Sequence, residues 1–406
     1  MRRGLLSSLF LGAVAKRLTL VETITAKSNQ HEFQGVRPLR DLLGDEDRQR
    51  TPARFIWLSD DAGAISENGF ASWSNVRKGK PRAAEYHLYY PGNSVTELMQ
   101  AGDLLVIALR SDGSLLIIVA PADATAQNQV LWLFGLDEPA AGVSLQRVAG
   151  EHDVELGLAA RYILDELEIE PEEPEANLLD GLIDRFGLTF PTTKVFSTLA
   201  RASLPEVSAA DDPDLALIEW LDREEQLFRR LERRIVAERI GAGFNADRGV
   251  DVDGFLSFSL SVQNRRKARA GQALENHLEA VLGAQSIIYA RGAQTENRNK
   301  PDFLFPGPEA YRDATFPSGR LTMLGAKSTL KDRWRQVLSE AERIPEKHLL
   351  TLEPGISENQ TDEMRTKGLQ LVLPRRLHDT FRPVQRPWLL DVSAFVAIVR
   401  RRQTGG

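Results

Sequence analysis

The sequence predicts a two-part fold, mostly β in its first part and mixed α/β in its second. Short apolar runs separated by Gly, Asp, Asn and Pro turns recur over residues 16–140, a pattern typical of many short strands. After residue 213, stretches with helical periodicity alternate with short apolar strands, which favours a small mixed sheet flanked by helices. We therefore expect a β-rich domain at 1–150, a linker at 151–213 and an α/β domain at 214–406.

Six apolar runs predict the strands of the first part. Turn residues such as Pro91-Gly92-Asn93 separate them, and many short strands joined by such turns are typical of a barrel or a sandwich. The runs are Arg17–Ile24, Arg54–Leu58, Glu85–Tyr90, Leu104–Leu109, Leu115–Val119 and Val130–Leu133.

The segment 151–213 is strongly acidic at its start. Residues 151–190 contain twelve Asp or Glu against Arg161 and Arg185, and several prolines interrupt the segment. We interpret it as a solvated connector that contains one or two helices. A mimic of nucleic acid is the alternative interpretation.

The second part alternates helices and strands. Its longest periodic run, Asp214–Ile240, places Leu and Ile at helical spacing with charges between them, so this stripe is a core face or a dimer surface. The other predicted helices are Val262–Leu282, Lys331–Arg343 and Asn359–Lys367, and the predicted strands are Ser286–Ala290, Asp302–Phe305, Leu321–Lys327, His348–Leu352 and Leu369–Leu373.

Composition limits the classes of function. The chain has 406 residues, of which 42% are hydrophobic, and no cysteine, which excludes disulfide frameworks and thiolate metal sites and fits a reducing compartment. No segment is long enough to span a membrane. The net charge is −6, but residues 261–340 contain thirteen Lys or Arg against eight Asp or Glu. A basic stretch inside an acidic protein indicates an anionic partner.

Two charged side chains stand at the ends of predicted strands. Asp302 opens one strand, and Lys327, 25 residues later, closes the next. If these strands are antiparallel neighbours, the start of one lies beside the end of the other, so the two side chains meet at one edge of the sheet. The ordinary interpretation is an exposed ion pair, which contributes little to stability.

Further carboxylates favour a metal site over an isolated ion pair. Glu340 lies on the next predicted helix, and Glu275 lies on the long helix before Asp302. Several carboxylates around one lysine suit a hard divalent cation such as Mg²⁺, which keeps waters and binds substrate phosphate. Such an ion neutralises the phosphate and stabilises the leaving oxygen, while Lys327 holds or activates the attacking water.

The dipeptides PD, ending at Asp302, and AK, ending at Lys327, resemble the motif of the PD-(D/E)XK nuclease superfamily, and so does the predicted αβββαβ pattern. That motif usually has an acid two residues before the lysine, where this chain has Gly325. In one subgroup of restriction enzymes the acid lies on the following helix, and Glu340 stands where such a displaced acid would.

Longer strings in the second part resemble the catalytic domain of EcoRII-type restriction endonucleases. They are SVQNRRKARAGQALENHLEAVL, NKPDFLFPGPEAYRDATFP and KSTLKDRWRQVLSEAERIPEKHLLTLEPGIS. The resemblance implies catalytic roles for Asp302, Lys327 and Glu340, with Asp302 and Glu340 binding Mg²⁺, and a supporting acidic role for Glu275. It also implies a homodimer that cuts both strands of DNA.

The triplet Lys331-Asp332-Arg333 follows the expected catalytic lysine. Similar enzymes carry a basic-acidic-Arg triplet there and use it to read a CC:GG step in the major groove. Arg and Lys donate to guanine O6 and N7, and a carboxylate accepts from cytosine N4. A helix N-terminus of mixed charge is the alternative interpretation.

Two further groups of cations are candidates for DNA contacts. Arg265, Arg266 and Arg269 precede Glu275 on its helix and suit contacts to phosphate, although a solvated basic face is the alternative. The N-terminal part resembles the pseudobarrel effector domain of the same family, and its stretch ASWSNVRKGKPRAAEYHLYY interleaves cations with aromatic residues. The residues expected in a DNA-binding arm there are Arg77, Lys78, Lys80 and Arg82, with Trp73 and Tyr86 beside them.

The expected substrate bears on the interpretation of the N-terminus. Arg2 and Arg3, the apolar run after them and the small residues near Ala15 imitate a secretory signal. The alternative is a short helix followed by a strand from Lys16 to Glu22. We favour the alternative, because a secreted restriction enzyme would lack its DNA, and we expect a cytoplasmic protein.

Together these features lead us to expect a type II restriction endonuclease whose N-terminal domain senses double-stranded DNA and restrains the nuclease. Removing residues 1–200 should then leave a faster nuclease. The first alternative is a modification-dependent endonuclease, in which the N-terminal domain reads altered bases. The second is a catalytically inactive DNA-binding regulator with a decayed nuclease core.

Overall fold

A computed structural model of the chain shows two compact units. The first comprises Met1–Leu156, Pro354–Thr361 and Thr380–Arg382, and the second comprises Gly157–Glu353, Asp362–Asp379 and Pro383–Gly406. Residues 147–175, which include most of the acidic part of the expected linker, and residues 1–5 and 7–9 of the signal-like start lie outside the described residues. The structure describes residues 6, 10–23, 31–59, 63–122, 124–137, 139, 143–146, 176–246, 249–330 and 333–404.

The first unit is built on one eight-stranded sheet. Its strands are β1 Phe10–Arg17, β2 Glu32–Gln34, β3 Arg48–Ser59, β4 Gly63–Asn75, β5 Tyr86–Tyr89, β6 Leu104–Arg110, β7 Leu115–Ala120 and β8 Val143–Gln146, and its helices are α1 Leu20–Thr23, α2 Arg37–Leu43 and α3 Thr125–Phe134. Their order in the sheet is β2-β5-β4-β3-β7-β6-β1-β8. These strands pair antiparallel, except that β3 and β7 are parallel. The expected mostly β first part is confirmed.

Alternation along the strands places one buried cluster of the first unit on one face of this sheet. Leu105, Ile107 and Leu109 of β6 belong to a buried cluster that also contains Phe33 and Phe55. The intervening residues of β6 and all residues of β7 are buried as well. Strands buried on both faces read as continuous apolar runs, which explains why the sequence predicted these two strands correctly.

The structure corrects two predicted strands of the first unit. The run Val130–Leu133 lies in α3, because a short apolar run does not distinguish a buried helix from a buried strand. Gly135 ends this helix in the left-handed conformation, with φ at 68°. The strand predicted at Arg17–Ile24 is also wrong, since β1 ends at Arg17 and α1 follows it.

The second unit contains a helical layer around its longest helices. Its helices are α4 Ala176–Ile183, α5 Thr193–Ala202, α6 Pro213–Ala242, α7 Val252–Ala284, α8 Pro308–Arg312, α9 Trp334–Val337, α10 Glu358–Thr366, whose first four residues are counted with the first unit, and α11 Val392–Thr404. The prediction for α6 is confirmed, and its stripe is core: Leu227, Phe228 and Leu231 pack with α4 and α5. Residues 176–202 therefore belong to the hydrophobic core of the second unit.

A mixed five-stranded sheet supports the candidate site. Its strands are β11 Ala290–Arg291, β12 Phe303–Phe305, β13 Thr322–Lys327, β14 Lys347–Thr351 and β15 Leu369–Val372, and a separate pair is formed by β9 Asn245–Ala246 and β10 Gly249–Val250. The order follows the chain from β11 to β15. The pairings of β11, β12 and β13 are antiparallel, and those of β13, β14 and β15 are parallel. The expected α/β core, a mixed sheet flanked by helices, is confirmed.

The helix predicted at Lys331–Arg343 is wrong over most of its length. Among the described residues of this range, only Trp334–Val337 forms an α-helix, and Glu340 lies in the turns that follow. Ala341 adopts a left-handed conformation with φ at 50°, which cannot continue a right-handed helix. In the described part of the chain, every helix is too short or too polar to cross a membrane.

Candidate active site

Asp302 and Lys327 meet at one edge of the five-stranded sheet. Lys327 Nζ donates a hydrogen bond to Asp302 Oδ2 at 2.7 Å. The backbone amide of Ala326 donates to the same oxygen, also at 2.7 Å. The two side chains are 15% and 17% exposed, so the pair is largely withdrawn from water. The predicted meeting of the two residues is confirmed, and their chemical role stays a prediction.

Strand register produces this meeting. Phe303 of β12 lies opposite Leu324 of antiparallel β13, which brings the residue before β12 beside the end of β13. The same packing explains the missing acid of the nuclease motif. A Cβ atom at Gly325 would lie 3.0 Å from Val337 Cγ2 and 3.4 Å from Leu349 Cδ1. A carboxylate at position 325 would therefore enter a packed apolar contact.

Glu340 supplies the third charged group. Its Oε2 atom is buried and has no hydrogen-bond partner among the described residues. Burial, and next the charge of Asp302, raise the pKa of Glu340 to about 7, while Lys327 and Lys347 oppose this rise. A buried acceptor without a donor is unfavourable. The turn after α9 thus holds an unsatisfied carboxylate within the electrostatic reach of the Asp302–Lys327 pair.

A cleft of about 200 Å³ opens beside Lys327. Glu275 from α7 and Arg333 from the segment before α9 line it together with Lys327. Glu275 accepts hydrogen bonds from Arg291 at 2.8 and 3.1 Å, so it lies at the cleft as an ion-paired carboxylate. This arrangement is consistent with the supporting position expected for Glu275.

The charged residues of the site fit a hard divalent cation. Asp302 and Glu340 offer two carboxylates, and Mg²⁺ is commonly bound by one or two carboxylates together with waters and substrate phosphate. The Oε2 atom of Glu340 has no hydrogen-bond donor among the described residues, and such an acceptor can be satisfied by a cation. Within the described ranges, no group of three or more His, Cys, Asp or Glu side chains is arranged to hold a metal, so water and phosphate would supply the other ligands.

A comparison with protein families matches the part of the chain that contains these residues. A family model described as EcoRII C terminal matches residues 228–396. The matched residues include Asp302, Lys327 and Glu340. This part of the chain is therefore similar to the EcoRII C-terminal family. The resemblance that the sequence strings indicated is therefore confirmed for the second part of the chain.

The relatives of this EcoRII-type domain are restriction enzymes. The type II restriction enzyme EcoRII of Escherichia coli is 43% identical over 187 residues, which is 46% of this chain and 45% of the relative. The chain thus matches less than half the length of this relative. Among solved structures, metal-depleted Ecl18kI in complex with uncleaved, modified DNA has 18% identity and a TM-score of 0.46 over 56% of this chain and 83% of that chain. The PspGI restriction endonuclease–substrate DNA complex has 13% identity and a TM-score of 0.45 over 58% of this chain and 97% of that chain.

The triplet expected to read bases is only partly described in the EcoRII-type domain. Lys331 and Asp332 lie outside the described residues. Arg333 is exposed and lines the cleft beside Lys327. Its guanidinium is thus available at the site, and its role in base reading stays a prediction.

Arg265 and Arg266 lie on the exposed face of α7. The Arg265 guanidinium stands 4.2 Å from the centre of the Phe190 ring. Arg266 donates to Glu232 at 2.7 Å, and its side chain remains 41% exposed. Both cations keep a solvent-facing position, so the prediction that they contact phosphate stays open.

Arg269 requires a correction. It is only 7% exposed, and its Nη2 donates to Glu224 Oε1 at 2.5 Å. Its guanidinium also lies 4.4 Å and 4.5 Å from the ring centres of Phe196 and Phe228. A buried, paired guanidinium is not available to a phosphate, so Arg269 is a structural residue of the helical layer.

Arg269 belongs to a group that the sequence analysis missed, here called the buried charge cluster: Arg201, Glu224, Arg269 and His277. Glu224 lies at its centre and pairs through its second oxygen with His277 Nε2 at 2.8 Å. Arg201 Nη1 lies 3.2 Å from the other ring nitrogen of His277. Burial lowers the pKa of His277, although Glu224 opposes this shift. Arg269 and His277 lie two successive i, i+4 steps apart, which puts both on one face of α7. This spacing was the signal in the sequence that could have indicated the cluster.

The cations of the first unit differ in their availability. Arg77 pairs with Glu85, and Lys78 Nζ lies 2.8 Å from Asp47 Oδ2. Both ion pairs are partly open to solvent. Lys80 and Arg82 are exposed on the turn after β4, so these two cations keep the position expected of a DNA-binding arm.

The aromatic residues of that arm do not take part in it. Trp73 and Tyr86 are 1% and 5% exposed, and their rings stack with centres 5.1 Å apart. Trp73 lies on β4 and Tyr86 on β5, where an inward-facing position buries an aromatic side chain. The expectation that these rings accompany exposed cations is therefore wrong.

Proposed function

We propose that this chain is a Mg²⁺-dependent type II restriction endonuclease whose EcoRII-type domain hydrolyses DNA phosphodiester bonds. The observation that carries the proposal is that Glu340 interacts electrostatically with the Asp302–Lys327 pair and has one carboxylate oxygen without a hydrogen-bond donor among the described residues. The family match supports it for residues 228–396. A cleft beside Lys327 leaves room for the DNA backbone.

The residues of the site have separate tasks in hydrolysis. A bound Mg²⁺ would polarise the phosphate and stabilise the leaving oxygen, and Asp302 and Glu340 would hold it. The ammonium of Lys327, fixed by Asp302 at 2.7 Å, places positive charge where charge develops on the phosphate and orients the attacking water. The water oxygen bonds to phosphorus, one ester bond of the phosphodiester breaks, and the leaving oxygen takes up a proton.

Specificity is the second part of the proposal. Lys331, Asp332 and Arg333 would read a CC:GG step, and of these Arg333 lies at the cleft. The enzyme would act on double-stranded DNA as a homodimer, because two active sites are needed to cut both strands. The first unit would sense DNA through its exposed cations and restrain the nuclease.

The deciding experiment is to digest a plasmid in Mg²⁺ and to sequence the ends, with methylated and unmethylated DNA in parallel. The proposal predicts ends at one short sequence that contains the CC:GG step. Cleavage of modified DNA alone would favour a modification-dependent endonuclease. Binding in Ca²⁺ without cleavage in Mg²⁺ would favour an inactive DNA-binding regulator.

The structure sharpens the test of autoregulation. Deleting residues 1–200 would remove α4 and most of α5, whose Leu179 and Phe196 belong to the core around α6. A deletion that ends before Ala176 spares that core. We expect this shorter deletion to cut faster than the full chain, and an unchanged or lower rate in a folded deletion protein would contradict the regulatory role.

A further inference from the structure

Lys347 is a buried lysine whose role the active-site chemistry does not explain. It opens β14 and is only 7% exposed. Its Nζ atom donates to the carbonyl oxygen of Ile344 at 2.8 Å and lies 3.4 Å from that of Ala341. Both acceptors are neutral. Burying an ammonium against neutral acceptors is unfavourable unless the surrounding structure gains from it.

The carbonyls that Lys347 binds belong to the turn that carries Glu340. Ala341, the next residue, is fully buried and adopts φ of 50°, a conformation that is uncommon for a residue with a Cβ atom. On the other side of Glu340, Asn299 Nδ2 donates to the carbonyl oxygen of Ser339 at 2.7 Å. The backbone is thus held on both sides of the carboxylate, by the lysine after it and by Asn299 before it.

The charge of Lys347 acts on the same region. Burial lowers the pKa of Lys347, while Glu296, Glu340 and Glu342 raise it. The ammonium is therefore in the electrostatic field of Glu340, although its hydrogen bonds go to the backbone.

We propose that Lys347 is a positioning residue for Glu340: it fixes the turn Ala341–Ile344 so that the Glu340 carboxylate stays beside Asp302. The inference rests on the proposed function, in which Glu340 binds Mg²⁺. Lys347 acts through the backbone and through its charge, and it touches neither the DNA nor the reacting atoms. Partners that orient metal ligands typically contribute about 10-fold to 100-fold to metal affinity.

The test compares Lys347→Met in the full chain with a matched control, Lys367→Met. Lys367 lies in the same unit, is 47% exposed and stands 3.7 Å from Glu363, so its loss should leave the active site unchanged. Two measurements are made for each protein: the Mg²⁺ concentration that gives half-maximal plasmid cleavage, and the rise in Tm on adding Ca²⁺. The Tm without metal is recorded as well, because it reports any general loss of stability.

We expect Lys347→Met to need at least about tenfold more Mg²⁺ for half-maximal cleavage. The variant should also lose most of the Ca²⁺-induced rise in Tm. At saturating Mg²⁺ it should recover much of its cleavage rate. Asn299→Ala should shift both readouts in the same direction. A lower metal-free Tm with an unchanged Mg²⁺ midpoint would overturn the proposal, since it marks a merely structural lysine. If Lys347→Met does not fold, Lys347→Gln, which keeps an amide donor and removes the charge, carries the same test with the same expected direction. A wild-type protein that cuts no DNA in Mg²⁺ would defeat the proposed function instead, and the Ca²⁺-induced rise in Tm would still test the role of Lys347.

Discussion

Two groups of charged residues in the second unit invite comparison, because they contain similar side chains in different states. In the buried charge cluster, both carboxylate oxygens of Glu224 are bonded, one to Arg269 and one to His277. In the candidate active site, one buried oxygen of Glu340 has no donor in the part of the chain that the structure describes. The first group is complete without a ligand, whereas the second keeps an acceptor that the proposed cation would satisfy.

The difference shows how function can be separated from structural support. Charge, burial and an unusual pKa occur in both groups: His277 has a lowered pKa and Glu340 a raised one. What distinguishes the active-site group is an unsatisfied acceptor in the electrostatic reach of a lysine that lines an open cleft. Perturbed ionisation alone is therefore a weaker indication of a functional site than perturbed ionisation combined with unmet hydrogen bonding.

The largest expected effect comes from removing a charged side chain of the active-site group. Asp302→Ala or Lys327→Ala should reduce single-turnover cleavage on the order of a thousandfold, because the first removes a proposed ligand of the metal and the second removes the positive charge that acts on the phosphate. Binding to DNA in Ca²⁺, measured by gel shift, should change far less. Asp379→Asn is a suitable control, because its side chain is 70% exposed in a surface pair with Arg386. Normal cleavage by Asp302→Ala would refute the assignment of the site.

The second prediction concerns the loss of the central acid of the buried charge cluster. Glu224→Gln leaves the Arg269 guanidinium buried without its counter-charge, which should destabilise the protein by about 3–5 kcal/mol. Urea unfolding measures this loss, and cleavage per folded molecule should stay near the wild-type value. In contrast, Glu363→Gln removes an exposed pair with Arg335 and should change stability by about 1 kcal/mol or less. Equal losses in the two variants would remove the distinction between the groups.

A third prediction separates cleavage of DNA from recognition of bases at the active site. Arg333→Ala should cost about 1–3 kcal/mol at one base pair and relax specificity there. Cleavage rates on a set of sites that differ by single base pairs measure this. Arg335→Ala is the matched control, because that guanidinium already pairs with Glu363 at 2.8 Å. An equal loss on all sequences would mark Arg333 as a phosphate contact.

The sequence was informative where chemistry and strand register agree, and less so where packing decides. The meeting of Asp302 and Lys327 followed from two antiparallel strands, and the structure has that register. The helix expected around Glu340 was wrong, because the left-handed conformation of Ala341 depends on tertiary contacts that no local pattern encodes. Arg269 was misassigned for a related reason. The sequence places this cation on a helix, but it does not show that the buried acid Glu224 of the neighbouring helix lies against it.

The smallest expected effect concerns the free energy of unfolding of the protein without metal. The pKa of Glu340, about 7, lies above its ordinary value of 4.5, so the folded state holds a proton that the unfolded state releases between these values. The folded state therefore loses stability as pH rises from about 4.5 to 7, and the whole penalty is present above 7. Glu340→Gln removes this penalty and should stabilise the metal-free protein near pH 8 by about 1–2 kcal/mol, after allowance for solvent screening.

Urea unfolding in EDTA at two pH values measures this effect. The gain for Glu340→Gln should nearly vanish near pH 3.5, about one unit below the ordinary pKa of 4.5, because the wild-type carboxyl is then mostly protonated in both states. Adding Mg²⁺ near pH 8 should stabilise the wild type and leave the variant almost unchanged, because a cation binds the ionised carboxylate and not the amide. If Glu340→Gln is less stable than the wild type near pH 8 without metal, then Glu340 is satisfied in the free protein, and the contrast with Glu224 does not hold.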